Sequence, residues 1–293
     1  MSELFTVMKW PLVACLILAP LLVYFGLHII RREVIFVDLA LAQVATLGAC
    51  VAILFHFDPH DWQSYGFSVA FTLVGAAIFT LTRMKAHRQV PQEALIGIVY
   101  VVAAAGGILL LNNSPHGNEE LKQTLVGELL YLQTPAQVFT PFLLYVVVGL
   151  VHFIFRKKFI AISFQSARAE AEGLSIRRWD FLFYALFGLV VTTFVHIGGV
   201  LLVFSYLIIP AVCANFLVRR LVPLFAIGCG ISTLGSVAGI YCSGAFNWPV
   251  GAAIVCVLGA ILLVVAIAAT TRRSRGMIPT ESAVENVCDT QNS

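Results

Sequence analysis

An all-helical bundle that crosses a lipid bilayer eight or nine times is the fold class this sequence predicts, and three observations carry the prediction. Of its 293 residues 60% are hydrophobic and only 11% charged, against roughly a quarter charged in soluble domains. The apolar residues come in long runs, most of them near the roughly 20 residues that a helix needs to cross the hydrocarbon core. The charges gather between the runs, in sets that alternate between basic and neutral or acidic. Lipid offers no partner to a backbone amide, so apolar runs of this length cross as helices, whose backbone bonds are internal. The formal net charge of +3 carries no message about nucleic acid, because the basic residues sit where orientation signals sit.

The runs fall at 10–30, 34–55, 66–82, 93–111, 138–155, 181–196, 198–218, 221–242 and 250–269. The first has no basic region before it and no small-residue cleavage site after it, so it reads as a span rather than a cleaved signal. The second carries Asp38 and Gln43. A carboxylate deep in the bilayer costs roughly 2.5–3.5 kcal/mol on insertion scales; Asp38 lies close to the end marked by Arg31 and Arg32, from which it can reach the interface. Gln43 lies deeper and needs hydrogen-bond partners there, either as glue between helices or along a pathway.

One set of connections holds Arg31/Arg32, Arg83 to Arg88, Arg156 to Lys158 with Arg177/Arg178, Arg219/Arg220 and Arg272 to Arg275. The other holds 58–61, 112–120, the neighbourhood of His196 and 242–248. Positive charge marks the cytoplasmic side, so the first set is inside. The uncertain stretch is 181–218, which has no charged break: His196-Ile197-Gly198-Gly199 forms either a tight external turn or a kink in one broken helix. Nine crossings would put the first residue outside and the tail inside. A membrane domain over 1–270 and a polar, disordered cytoplasmic tail over 271–293 follow.

Within the cytoplasmic insert 155–179, the centre 166–172 is rich in Ala, Glu and Arg and forms a helix that Gly173 stops. It is either an ordinary connection or a docking element for a soluble partner. The cysteines form no CxxC pair and read as small buried hydrophobes. Gly235 and Gly239 have the spacing of close helix packing. Among candidate pathway or metal residues, His196 stands at a span end before two glycines. His28 lies at the cytoplasmic interface, and His152 near Arg156 reads as structural. His56 and His60 flank Asp58 and Asp61 in an outer loop, where they could sample metal. Ser205 either lines a pathway or bonds back to its own helix.

Three stretches occur together: LAQVATLG at 41–48, AEAEGLSI at 169–176 and HIGGVLLVFSYLIIPAVCANF at 196–216. ALIGIVYVVAAAGGILL at 94–110, GELL at 127–130 and NWPVGAAIV at 247–255 accompany them. With these the chain resembles the permease subunit of the zinc/manganese/iron-type metal ABC importers, over nearly all of residues 1–270. The resemblance implies a type II ABC importer-like permease domain over that range. Two copies, a homodimer, would form one pathway. A cytoplasmic ABC ATPase dimer would grip the paired coupling helices, here about 156–179 with Ala169, Glu170, Glu172 and Gly173 at the contact. An extracytoplasmic solute-binding protein would deliver a divalent metal or metal complex. ATP would bind the partner subunit, this chain would hold no cofactor and catalyse nothing, and the site of action would be a bacterial inner membrane. Consistent with that division of labour, nothing in the chain resembles a phosphate-cradling GxxxxGK[ST] loop.

The departures from the family matter. Its second helix usually carries an Asp and, four residues on, a His; here the His falls on Gln43 and the Asp on Leu39, with Asp38 one residue early. At about 100° per residue, Asp38 and Gln43 are about 140° apart, and a neutral amide suits zinc less well than imidazole. The family's Asp before a Pro is Asn247-Trp248-Pro249 here. Asp38, Gln43 and His196 remain the metal-pathway candidates, and a chelated or hydrated metal fits a weakly binding conduit. The alternative from another class is an ATP-independent secondary metal transporter or channel, which would lack genes for an ATPase and a binding protein beside its own. A membrane-embedded enzyme would need convergent catalytic groups, whereas the histidines and carboxylates here are scattered over span ends.

Overall fold

The chain folds back on itself at Gly199, and this reversal decides how many times it crosses. The computed structural model describes residues 2–58, 61–83, 91–112, 126–127 and 129–274. Among these residues there are ten α-helices and no strand: α1 Ser2–Arg32, α2 Val37–Leu54, α3 Trp62–Thr82, α4 Gln92–Leu111, α5 Pro135–Ile154, α6 Arg156–Phe164, α7 Ser166–Ala171, α8 Ile176–Leu217, α9 Leu221–Phe246 and α10 Val250–Ser274. Eight of them are long and apolar enough to cross a membrane.

α8 has 42 residues, which as a straight rod would measure about 63 Å, twice the roughly 30 Å of a hydrocarbon core. It is not straight. Gly199 has φ 75° and ψ 162°, a conformation essentially open only to glycine. Phe194 and Tyr206 on either side of it bring their ring centroids to 6.2 Å, where twelve residues of continuous helix would separate them by about 18 Å. Near the start of α8, Asp180 bonds Arg32 at the end of α1. Near its finish, Ala211 and Ala214 pack on Leu27 of the same turn region of α1. Both ends of α8 thus meet one end of α1, and α8 is a helical hairpin. Among the described residues, eight apolar helices, one of them folded double, give nine apolar helical passes, which fits the upper of the two expected numbers.

The basic connections collect at one end of this bundle, around Arg32, Arg83 and Asp180. At the other end the turn of α8 is clamped by glycines. A Cβ on Gly127 would stand 2.1 Å from the carbonyl carbon of Gly198, and one on Gly251 would stand 2.8 Å from the carbonyl oxygen of Val126. Backbones meet at contact distance elsewhere too. A Cβ on Gly26 of α1 would overlap the carbonyl oxygen of Leu207, and one on Gly239 would lie 2.5 Å from the Cα of Ile254. With Gly235 packed on Leu258, the Gly235/Gly239 spacing does seat α9 closely on α10. The core between α1 and both arms of α8 is aromatic, with Phe25, Phe183, Tyr184, Phe187, Phe194 and Tyr206 fully buried.

The structure adds four details. Asp38 is 2% exposed, enclosed by protein at the first turn of α2. In the insert 155–179 the expected short helix stands as α7, and a second helix, α6, precedes it and buries Phe159, Ile162 and Ser163 against the bundle. His28 is buried within the protein, one turn before Arg32 at the basic end. α10 runs on to Ser274. His60, residues 84–90 of the second basic cluster, 113–125 of the outer loop and 275–293 of the tail lie outside the described residues.

Candidate functional site

α7 is the short helix of the cytoplasmic insert, and its ending is written in its sequence. Gly173 takes φ 77°; its N–H reaches the carbonyl of Glu170 at 3.0 Å, and the N–H of Leu174 reaches that of Ala169 at 3.1 Å. This paired closure satisfies carbonyls that the helix end leaves open. Ala169 is buried, whereas Glu170, Ala171, Glu172 and Gly173 are exposed. Arg168 Nε donates to Glu172 Oε1 at 2.9 Å across one turn, a surface pair worth only about 0.3–0.5 kcal/mol. α7 therefore rests on the bundle by one small residue and offers a charged ridge to the aqueous phase.

Asp38 and Gln43 are both buried, at 2% and 8% exposure, on an unbroken stretch of α2. Asp38 shares a side of the helix with Leu41 and Gly48, which meet α8 at Gly188 and α3 at Phe67. Gln43 shares a side with Leu47 and Cys50, which meet α4 at Gly106 and Gly107. The two polar groups occupy different interfaces. Asp38 Oδ1 has no hydrogen-bond partner among the described residues.

His196 lies near the opposite end. It is exposed, its Nδ1 donates to the carbonyl of Thr192 at 2.7 Å, and its ring centroid is 6.2 Å from that of Tyr65. Asp180, bonded to Arg32 near Asp38, precedes it on the same helix arm by sixteen residues, about 24 Å, so His196 belongs to a different level from Asp38. Between them runs a polar seam of α3 and α8: Tyr65 OH bonds Thr193 Oγ1, and Thr72 Oγ1 bonds Thr192 Oγ1, each at 2.8 Å. No group of three or more His, Cys, Asp or Glu side chains that could hold a metal ion occurs among the described residues.

The other candidates resolve locally. Ser205 donates to the carbonyl of Leu201 at 2.8 Å, back into its own helix. His152 donates from Nδ1 to Val148 and stacks on Phe159 at 4.4 Å. His56 is exposed with φ 62°. Asn247 ends α9 in the left-handed region, φ 56° and ψ 41°, which Asn tolerates better than most residues.

Sequence reasoning missed the buried cluster at the basic end. Asp180 accepts hydrogen bonds from Arg32 and Arg83, and Arg32 also donates to Ser163, with His28 on the same hydroxyl. Removing one partner from a buried pair of this kind costs about 3–5 kcal/mol. The signal was an acid directly after a basic pair and a tryptophan, Arg177-Arg178-Trp179-Asp180, which in a linear reading looks like an ordinary span flank.

Set beside known proteins, residues 4–269 match the ABC 3 transport family. The manganese transport system membrane protein MntC of Listeria innocua is 28% identical over 197 residues, 65% of this chain and 70% of that protein. The manganese import system permease protein ScaB of Streptococcus gordonii is 26% identical over 197 residues, 67% of this chain and 69% of its own. Among solved structures, a chain of PsaBC from Streptococcus pneumoniae in complex with Fab superposes with a TM-score of 0.73 at 22% identity, covering 88% of this chain and 90% of that one. A chain described as an inward-facing metal-chelate type ABC transporter gives 0.67 at 16% identity, covering 90% and 88%.

Proposed function

Since this chain belongs to the ABC 3 transport family, we propose that it is the membrane-spanning permease subunit of an ATP-driven importer for a transition metal ion or metal complex. The family match across nearly the whole bundle is the observation that carries the reading, and manganese permeases among the relatives support the metal class. The chain supplies the conduit and a mechanical contact and no chemistry of its own. ATP is bound and split by a separate cytoplasmic ATPase dimer, which grips the exposed ridge of α7 at Glu170, Glu172 and Gly173, while the buried Ala169, expected at that contact, seats the helix on the bundle instead. A second copy of the permease completes the pathway, and a solute-binding protein loads it from outside, across a bacterial inner membrane.

The cargo passes as a chelate or a hydrated ion. A bare cation sheds water only where several donors replace it. Gln43 stands where the family has an imidazole, and its side of α2 is not that of Asp38. His196 at the outer mouth and Asp38 near the inner end act as separate stations.

The decisive experiment is copurification followed by transport. The tagged chain brings down an ABC ATPase, and proteoliposomes with ATPase and binding protein accumulate manganese, zinc or iron only with hydrolysable ATP. Uptake at the same rate without ATP would overturn this reading in favour of a secondary transporter or channel.

A further inference from the structure

Arg32 touches both chain segments that hold α7. Its Nε donates to Ser163 Oγ at 2.8 Å, on the segment before α7, and its Nη1 donates to Asp180 Oδ1 at 2.8 Å, on the segment after it. The guanidinium lies 3.8 Å over the ring of Phe183, and the side chains of Arg32 and Asp180 are 2% and 1% exposed, so neither bond is diluted by water. His28 Nδ1, one turn earlier on α1, shares the Ser163 hydroxyl at 2.8 Å.

The connections run onward into the bundle. Arg32 is the last residue of α1, and the turn after it leads directly into α2. In that turn the Ile35 N–H donates to Glu93 Oε1 at 2.5 Å, at the start of α4. Asp180 also pairs with Arg83, the residue that ends α3. One guanidinium and one carboxylate therefore join the roots of α7 to α1, α2 and α3. The node has a bond in reserve: Asp180 Oδ2 is buried and unpartnered among the described residues, and the Tyr184 ring stands beside the Arg32 guanidinium. A fork that can slide from one nitrogen–oxygen pair to another gives the contact a second arrangement, which a switching element needs.

We propose that Arg32, Ser163 and Asp180 form a clasp that transmits displacement of α7 to α1, α2 and α3, and are positioning residues for coupling ATP hydrolysis to transport. The proposal rests on the permease reading above. It separates two properties that a docking role would keep together: the motor binds and turns over without the clasp, but its stroke no longer moves the conduit.

The test uses the complete assembly in liposomes, with ATPase subunits and binding protein, and reads manganese accumulated per ATP hydrolysed. Ser163→Ala removes one hydroxyl without stranding a charge. It should retain the ATPase subunits and its hydrolysis rate, while the transport ratio falls by about fivefold or more, the lower range of coupling between sites. Ser163→Thr, which keeps a hydroxyl, should restore the ratio. Asp180→Asn should lose the ratio further, and its melting temperature in detergent reports whether the fold survives. A parental ratio in Ser163→Ala would overturn the clasp, as would loss of the ATPase subunits from that variant or failure of Ser163→Thr to restore transport. A parent assembly without ATP-driven uptake would instead overturn the permease reading itself.

Discussion

Asp38 and Gln43 show how much one position matters on a helix. Had the acid stood at 39, it would have shared a side of α2 with residue 43, since four residues bring a helix nearly full circle. At 38 it turns toward α3 and α8, while Gln43 turns toward α4. Gln43→His should therefore supply the imidazole that the family carries without creating a two-ligand site. Zinc affinity of the purified chain, measured by calorimetry, should stay within a few-fold of the parent, because one added ligand contributes little without a second. Tight zinc binding in that variant would mean that α2 rewinds locally. Leu39→Asp together with Gln43→His is the combination expected to bind.

At the scale of an element, α8 is where composition left two readings open and glycine decided. Its apolar run is continuous, so hydropathy reads one long span or two without distinction. The backbone at Gly199 sits where other residues pay about 1–3 kcal/mol in strain. Gly199→Ala should lower the stability of the purified protein by about that amount, seen as a reduced melting temperature in detergent. An unchanged transition would mean that the turn is made elsewhere. α7 follows the opposite logic. Its helix formers and its stop at Gly173 are local signals, and the tertiary structure adds only the seating of Ala169 and the connections at its two roots.

For the molecule as a whole, nine passes fix which connections share a side. The residues flanking α8, Glu172 and Arg219, should both lie in the cytoplasm, and Asn112 and Trp248 outside. Single cysteines at these positions, in a chain stripped of its own, are expected to react with an impermeant maleimide accordingly. Glu172→Cys and Arg219→Cys should be modified only after the cells are opened, and Asn112→Cys and Trp248→Cys before. If the two α8 flanks reacted from opposite sides, the hairpin would be a kink and the passes eight. The membrane class, the basic end, the short helix with its glycine stop and the close seating of α9 were all legible in the linear chain, because each depends on residue type and nearby spacing. The count of passes depended on a backbone angle at one glycine, which hydropathy does not register. The clasp of Arg32, Ser163 and Asp180 joins residues more than a hundred positions apart, and only packing brings such partners together. Whether a charge between spans faces water or a buried partner is decided by the neighbours that the fold supplies. That is why an aspartate that looked like a span flank stands in the structure as the joint of the bundle.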